Sequence, residues 1–216
     1  DLDGGLTEAG VDILNKPMSI REAMFVHYAA QINLRDAALA WVSLWQEPPP
    51  RTLRLSDTSA ASECEGWLDS NQSDVAKGQI KLWRGWMSRV RQRAKSLGAR
   101  ILVTGEHEML RWAASMASPD RVGFLSIDKA NQRSIQLCTG RRLEVDPRVM
   151  VHREGWVVVL QARQQQRSRG LHGIVDMVAE IEVDWLMDLP GDRLMEDIES
   201  QWDENLEKIR SFEILR

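Results

Sequence analysis

The chain has few cysteines and no long apolar run, and each of these absences excludes a class of protein. Cys64 and Cys138 are the two cysteines among 216 residues, too few for a disulfide scaffold, so the sequence predicts a reducing, cytoplasmic location. No apolar run approaches the roughly 18 residues that a membrane-spanning helix needs, so we expect no membrane partner. The chain starts at Asp1 rather than Met, in an acidic, glycine-rich stretch unlike a signal peptide. We therefore expect a segment of a longer protein.

Motifs of catalysis are absent as well. The sequence holds no Gly-x-x-x-x-Gly-Lys-Ser/Thr loop and no Asp-Glu-Ala-His motif, so we expect this segment alone to have no catalytic residue and no cofactor, and not to hydrolyse ATP. Glu106-His107-Glu108 is the one cluster that suggests a metal site, but neighbouring helical residues point in different directions, which favours a plain surface. An independent hydrolase is disfavoured because no nucleophile or paired carboxylates can be identified.

Charge is strongly segregated along the chain, although the net charge is only −4. Between Asp74 and Arg100 there are eight basic residues and one acidic residue, whereas Glu180 to Glu207 contains eleven acidic residues and one basic residue. This segregation is typical of a basic binding surface and a solvated acidic end. The nine tryptophans are interpreted as packing residues of helical interfaces, with base stacking as the lesser alternative.

The first half of the sequence has helical periodicity. Ser19-Ile20-Arg21-Glu22 is a capping box, in which serine and glutamate side chains satisfy backbone amides at a helix start. A helix over 34–46 ends before Pro48-Pro49-Pro50, because proline lacks an amide donor. A long helix is predicted over 75–97, with Asp74 as its N-cap and one apolar face, and another over 105–117. We expect four or five helices in roughly 100 residues.

The second half changes to short segments rich in β-branched residues and bounded by Gly, Asn and Asp. These segments favour a small barrel over a sandwich. The predicted fold class is therefore α+β, an N-terminal helical bundle followed by a small antiparallel β-barrel. The predicted strands are Val122–Ile127, Ser134–Leu137, Trp156–Ala162 and Ile174–Val183, with a further one near Arg148–His152. Beyond them we expect a short helix at Trp185–Leu194 and a strand at Ile209–Leu215 without an obvious partner.

Basic residues gather at three places suited to contact with nucleic-acid phosphates, because clustered Lys and Arg displace condensed counterions. One is a stripe on the predicted 75–97 helix, roughly 100° from its apolar face; a solvated surface is an equally good interpretation of it. The others are the turn after Thr139-Gly140 and the loop after the Trp156–Ala162 strand. Backbone contact is favoured over base stacking, because only Phe124 and Trp156 lie near these places. The candidate residues are Lys77, Lys81, Arg84, Arg91 and Lys95 in the stripe, Arg121 before the first strand, Arg141 and Arg142 in the turn, and Arg163, Arg167 and Arg169 in the loop.

The order of several short motifs resembles the C-terminal half of HrpB-type DEAH-box RNA helicases. Ser118-Pro119-Asp120-Arg121-Val122 is similar to the Pro-Asp-Arg-Ile/Val start of their OB-fold, and Thr139-Gly140-Arg141 to their Asn-Gly-Arg turn. Gly123 departs from the family, which usually has Ala there, and Arg142 replaces a small residue.

This resemblance implies a division of the chain into four parts. Residues 1–17 would be the tail of a winged-helix-like element, and 18–118 a helical helicase-associated (ratchet) domain. Residues 119–193 would be an OB-like barrel, and 194–216 the start of a C-terminal extension.

The implied function is that of an accessory region in an ATP-dependent RNA helicase, an NTP hydrolase as a whole. RecA-like motor domains outside this segment would bind ATP and Mg, while the ratchet helices and the barrel grip single-stranded RNA or DNA. A stand-alone, non-enzymatic nucleic-acid-binding or protein-interaction module is the alternative that the residues leave open.

Overall fold

Six α-helices precede seven β-strands in the part of the chain that the computed structural model describes. That part consists of residues 7–14, 16–50, 52–55, 64–100, 107–149, 153–167, 170–189, 196–203 and 208–215. The helices are α1 Glu8–Leu14, α2 Ile20–Gln31, α3 Arg35–Gln46, α4 Cys64–Leu68, α5 Ile80–Ser96 and α6 His107–Ala117. The strands are β1 Val122–Ile127, β2 Arg133–Leu137, β3 Arg142–Val145, β4 Gly155–Arg167, β5 Gly170–Glu180, β6 Glu196–Asp203 and β7 Lys208–Leu215.

The start of α2 confirms the predicted capping box. The Ser19 hydroxyl accepts from the amide of Glu22, and the Glu22 carboxylate accepts from the amide of Ser19.

The start of α5 differs from the prediction. Asp74 is the last residue of a short 3₁₀ turn that begins after Asn71, and α5 itself begins at Ile80. Gly78 lies between them with φ of 89°, a left-handed conformation that a right-handed helix cannot include. The predicted helix over 75–97 was therefore wrong in its first five residues.

The tryptophans of the helical part are packing residues, as predicted. Trp41, Trp67, Trp83 and Trp86 are at most 6% exposed. The rings of Trp67 and Trp86 form an edge-to-face pair at 5.3 Å. The indole N–H groups of Trp83 and Trp86 donate to the Ser70 hydroxyl and the Glu47 carbonyl. These bonds offset the cost of burying a polar group in an apolar core.

The first five strands close into a barrel in the order β1-β2-β3-β5-β4, with β4 returning to β1. All its pairings are antiparallel except that of β3 with β5, which is parallel because the chain crosses one end of the barrel between β3 and β4. Alternate residues fill the interior, among them Leu125, Ile135 and Val175, each fully buried. A helical region followed by a small closed barrel confirms the predicted α+β class, and the five-stranded arrangement is OB-like.

The predicted strand near Arg148–His152 was wrong in position. The third barrel strand is Arg142–Val145, whereas Arg148 of the predicted 148–152 strand lies in a turn, and residues 150–152 fall outside the described part. The Asp146 amide hydrogen-bonds to Val175, and the following Pro147 has no amide to continue the ladder.

Helices and barrel belong to one compact unit, Asp1–Ile181. Arg21 makes a bidentate ion pair with Asp120, at 2.6 and 2.8 Å. The side-chain amide of Gln161 in β4 donates to the carbonyl of Trp45 in α3 at 3.1 Å. In the buried interior, the Cys64 thiol donates to the Met177 sulfur at 3.0 Å.

The second unit is Glu182–Arg216. It contains a 3₁₀ turn, Val183–Asp188, in place of the predicted helix at Trp185–Leu194, of which residues 190–194 lie outside the described part. The predicted C-terminal strand is confirmed as β7, and its partner is β6 in an antiparallel hairpin from Glu196↔Leu215 to Asp203↔Lys208. The four-part division of the chain into 1–17, 18–118, 119–193 and 194–216 stays a prediction.

Candidate nucleic-acid interface

An open cleft of about 920 Å³ is lined by residues of β2 and β3. Residues of the turn between β1 and β2, and of β4 and β5, also line it. Four arginines line the cleft against three carboxylates, so its lining is both polar and basic. The charged lining residues are Arg133, Arg141, Arg142, Arg163, Asp128, Glu144 and Asp146.

Arg141 and Arg142 reach this cleft from the tight turn that joins β2 to β3. Gly140 makes the turn possible with φ of 81°, and the Leu137 amide donates to the Arg141 carbonyl to close it. Both arginines are exposed. Arg142 donates one bond to the Ser134 hydroxyl at 2.9 Å, whereas the Arg141 side chain has no hydrogen-bond or ion-pair partner among the described residues. Each guanidinium keeps donors available for a phosphate.

Arg163 also lines the cleft, but carboxylates compensate its charge. One terminal nitrogen lies 2.7 Å from Asp146 and the other 3.1 Å from Asp176. Arg148 joins the same group, at 2.8 Å from Asp146 and 3.5 Å from Asp176. Hydrogen bonding from Arg148, more than any other cause, lowers the pKa of Asp146 to about 2. Arg163 therefore has less capacity for a phosphate than Arg141 or Arg142.

The predicted loop holding Arg163, Arg167 and Arg169 is mostly strand. Arg163 and Arg167 lie in β4, whose pairing with β5 continues to Arg167↔Gly170. Backbone hydrogen bonds extend this hairpin beyond the apolar residues that mark a strand in sequence. Arg169 and the side chain of Arg167 fall outside what the structure describes.

The basic stripe of α5 forms a separate surface. Lys81, Arg84, Arg91 and Lys95 lie exposed on one side of this helix, which contains no acidic residue. Arg84 donates to the Gln72 side chain at 2.7 Å, and the other three have no hydrogen-bond or ion-pair partner within the described residues. Lys77 is exposed in the turn before α5 rather than on the helix, a correction that follows from the later helix start. None of these five residues is among the described residues that line the cleft.

Arg121 is placed differently from the other candidates. It donates to the Leu160 carbonyl at 3.2 Å and lines a small cavity of about 230 Å³ between helices and barrel, together with Phe25 and Trp45. Burial, and next the positive charge of Arg21, lower the pKa of its guanidinium. This geometry fits a structural role at the junction.

Several cleft residues were missed from the sequence. Arg133, Gln165 and His172 line the cleft, and His172 Nδ1 lies 3.6 Å from a Glu144 oxygen. They sit singly on three strands, so only their register in the barrel brings them together. Among the described residues no group of three or more His, Cys, Asp or Glu could hold a metal ion. Of the described helices, none combines the length and apolar character that crossing a membrane requires.

No protein-family model and no curated protein matches the sequence. Solved structures do resemble the fold, among them two of the same E. coli protein. The crystal structure of the E. coli DExH-box NTPase HrpB superposes with a TM-score of 0.62 at 16% identity, and that of the Escherichia coli DEAH/RHA helicase HrpB with 0.60 at 18%. Each match covers 98% of this chain and 23% of the other. At these identities the likeness shows the shared fold, and the chain spans less than a quarter of the proteins it resembles.

Proposed function

We propose that this chain is the accessory region of an ATP-dependent helicase, gripping single-stranded RNA or DNA while motor domains elsewhere in the parent protein hydrolyse ATP. The observation that carries this proposal is the basic cleft on the β2–β3 side of the barrel, with Arg141 and Arg142 exposed at its rim. In OB-folds the same face and its neighbouring loops bind oligonucleotides.

The fold likeness supports the helicase part of the proposal. It spans helices and barrel together, at 98% of this chain, and so does not depend on the barrel alone, a fold shared by many unrelated functions. The two structures it matches are named as an NTPase and a helicase. The DEAH-box motor domains, their ATP and Mg, and an overall hydrolase activity would belong to the rest of the parent protein.

The proposed mechanism is one of positioning and grip. Arg141 and Arg142 contact phosphates from the cleft, and the stripe on α5 offers a second basic surface along which a backbone could run. Phosphate contacts hold a strand without reading its sequence. The strand is thereby kept from slipping back while the RecA-like domains step. Cys64 and Cys138 are thiols and not a disulfide, in keeping with the reducing cytoplasm that we propose as the location.

The test is the salt dependence of single-strand binding by the Arg141→Ala/Arg142→Ala variant. On single strands log K falls by about 0.7 per phosphate neutralised as log salt rises. Removing two contacts should therefore lower affinity for all sequences alike and flatten the slope by about one to two units. Arg153→Ala is the control, because Arg153 is exposed and lies outside both the cleft and α5.

A structural role for the two arginines predicts the opposite pattern. The double variant would then lose melting temperature while its binding and salt slope stayed unchanged. Absence of single-strand binding by the unmodified chain at low salt would contradict the proposal, as would ATP turnover by the purified chain that survives stringent purification, since this segment has no phosphate-binding loop.

A further inference from the structure

The strand register of the barrel aligns four side chains on its outer face. Trp156 of β4 is paired with Phe124 of β1, Phe124 with Gln136 of β2, and Gln136 with Arg142 of β3. Residues paired across a ladder point to the same side of a sheet. Their sequence neighbours Leu125, Ile135 and Leu143 fill the barrel interior, so these four residues, called the outer row, point outward.

The aromatic end of the outer row is accessible. Phe124 is 38% exposed, and its ring meets that of Trp156 edge to face at 5.6 Å and 82°. The adjacent outward pair on the same strands, Val122 and Val158, is by contrast 1% and 0% exposed. Phe124 is therefore exposed and Trp156 partly exposed, where the neighbouring residues of the face are buried.

The other end of the outer row reaches the basic cleft, since Arg142 belongs to both. Neighbouring strands lie about 4.8 Å apart, which places Phe124 about 10 Å across the face from Arg142. Gln136 lies between them with an amide donor and an acceptor. One continuous track thus carries a cation, an amide and two aromatic rings, with no acidic side chain in any of its four positions.

We infer that the outer row is a stacking site for a base of single-stranded nucleic acid, with Phe124 and Trp156 against the base and Arg142 at a neighbouring phosphate. This inference rests on the proposed function and adds a second kind of contact to it. Every base has a π-face, so stacking holds a strand without selecting its sequence. A protein partner is less favoured because the apolar part of the row is a single aromatic pair, far smaller than a protein interface.

The sequence alone favoured backbone contact, because aromatic residues are sparse near the basic turn. Phe124 and Arg142 are 18 positions apart in the chain, and the pairing of three strands brings them into one row. Grip would then come from two independent sources, a salt-dependent one at Arg141 and Arg142 and a salt-independent one at the aromatic pair.

The experiment measures binding of the full chain to an oligoadenylate of about 12 nucleotides, within the range that one OB-fold occupies. Phe124→Leu keeps apolar volume without an aromatic face, Phe124→Tyr keeps the ring, and Ser126→Ala is the control, at an exposed position two residues along the same strand. Stacking is worth about 1–3 kcal/mol per base, equivalent to a 5- to 150-fold change in affinity.

We expect Phe124→Leu to weaken single-strand binding within that range, with an unchanged salt slope and unchanged affinity for duplex RNA, whose bases are not available. Phe124→Tyr and Ser126→Ala should bind like the unmodified chain. A 2-aminopurine base in the oligonucleotide should lose fluorescence on binding to the unmodified chain and keep it with Phe124→Leu. Melting temperatures of all three variants report on folding separately.

Unchanged single-strand affinity in Phe124→Leu, together with weaker binding in the Arg141/Arg142 variant, would overturn the stacking site and leave the proposed function intact. Equal weakening for single strands and duplex would also overturn it, since a duplex offers no unstacked base. Failure of the unmodified chain to bind any single strand would overturn the proposed function itself.

Discussion

At the scale of single residues, Gly123 shows how closely two barrel strands approach. A Cβ on this residue would lie 2.5 Å from the Gln136 carbonyl oxygen and 2.9 Å from the Leu137 Cα. Both are backbone atoms of β2, which cannot move without disturbing the ladder.

Gly123→Ala should lower the free energy of unfolding by roughly 1–3 kcal/mol, the usual cost of overpacking a tight core. Denaturant unfolding of the purified variant measures it. Gly155→Ala is the matched control in β4, where an added Cβ meets no atom within 4 Å. Equal stability of the two variants would show that β1 and β2 can separate freely.

Asp146 is a second residue whose effect on stability can be worked out. Its pKa is lowered to about 2, mainly by the hydrogen bond from Arg148. A carboxylate whose pKa is lower in the folded than in the unfolded state stabilises the fold above the unfolded value of 3.8. That contribution, up to about 2 kcal/mol, is lost as the pH falls from about 4 through about 2. Because Arg148 is half exposed, solvent screening of the ion pair reduces this contribution to stability.

Asp146→Asn should therefore destabilise the protein at neutral pH and flatten the loss of stability between about pH 4 and pH 2. Unfolding free energies measured across that range check the prediction. The control is Asp184→Asn, which removes an exposed carboxylate from the second unit and should leave the acid profile unchanged. An Asp146→Asn profile as steep as that of the unmodified protein would contradict it.

At the scale of elements, local rules located helices well and their boundaries less well. The capping box placed the start of α2 correctly because Ser19 and Glu22 act through bonds that lie entirely within one turn. The start of α5 was wrong because Asp74 is equally able to complete a 3₁₀ turn with Asn71. Strand β3 was missed because its four residues alternate Arg and Glu with apolar residues over too short a span to be distinctive.

Helix α5 contains Gly85 on its exposed side, where an added Cβ meets nothing within 4 Å. Gly85→Ala should raise the free energy of unfolding by roughly 0.5–1 kcal/mol, because alanine loses less backbone entropy in a helix. Gly78→Ala is the matched control, since its added Cβ also meets no atom but its φ is 89°. It should be destabilising through strain alone. We expect the melting temperature to rise in Gly85→Ala and to fall in Gly78→Ala. A rise in both variants would contradict the placement of the α5 start.

At the scale of the whole molecule, the sequence predicted a helical region followed by a small barrel. It predicted only some of the residues of the candidate site. The switch from helical to strand periodicity after Pro119 is visible along the chain. Arg141 and Arg142 could be found because they adjoin a Gly turn. Arg133, His172 and the row from Trp156 to Arg142 could not, since strand register alone assembles them.

The helices and the barrel of the first unit share buried and partly buried contacts, which predicts cooperative unfolding of the two. Gln161 bonds to Trp45 across the junction, Cys64 to Met177, and Arg121 to Leu160 within it. Leu125→Ala removes a fully buried side chain from the barrel core and should cost roughly 2–5 kcal/mol. In a cooperative unit, the opening free energy of every amide that exchanges through global unfolding falls by that same amount.

Native-state hydrogen exchange separates the cooperative case from the independent one. In Leu125→Ala the slowest amides of α3, far from the substitution in sequence, should lose the same opening free energy as those of β2. The reciprocal change, Leu39→Ala in α3, removes a side chain that is 1% exposed and should lower protection in β2 in turn. Leu82→Ala, at a position 40% exposed on α5, is the control and should change neither. If Leu125→Ala lowered protection in the barrel strands alone, helices and barrel would fold independently, and the junction would be a docking contact instead of a shared core.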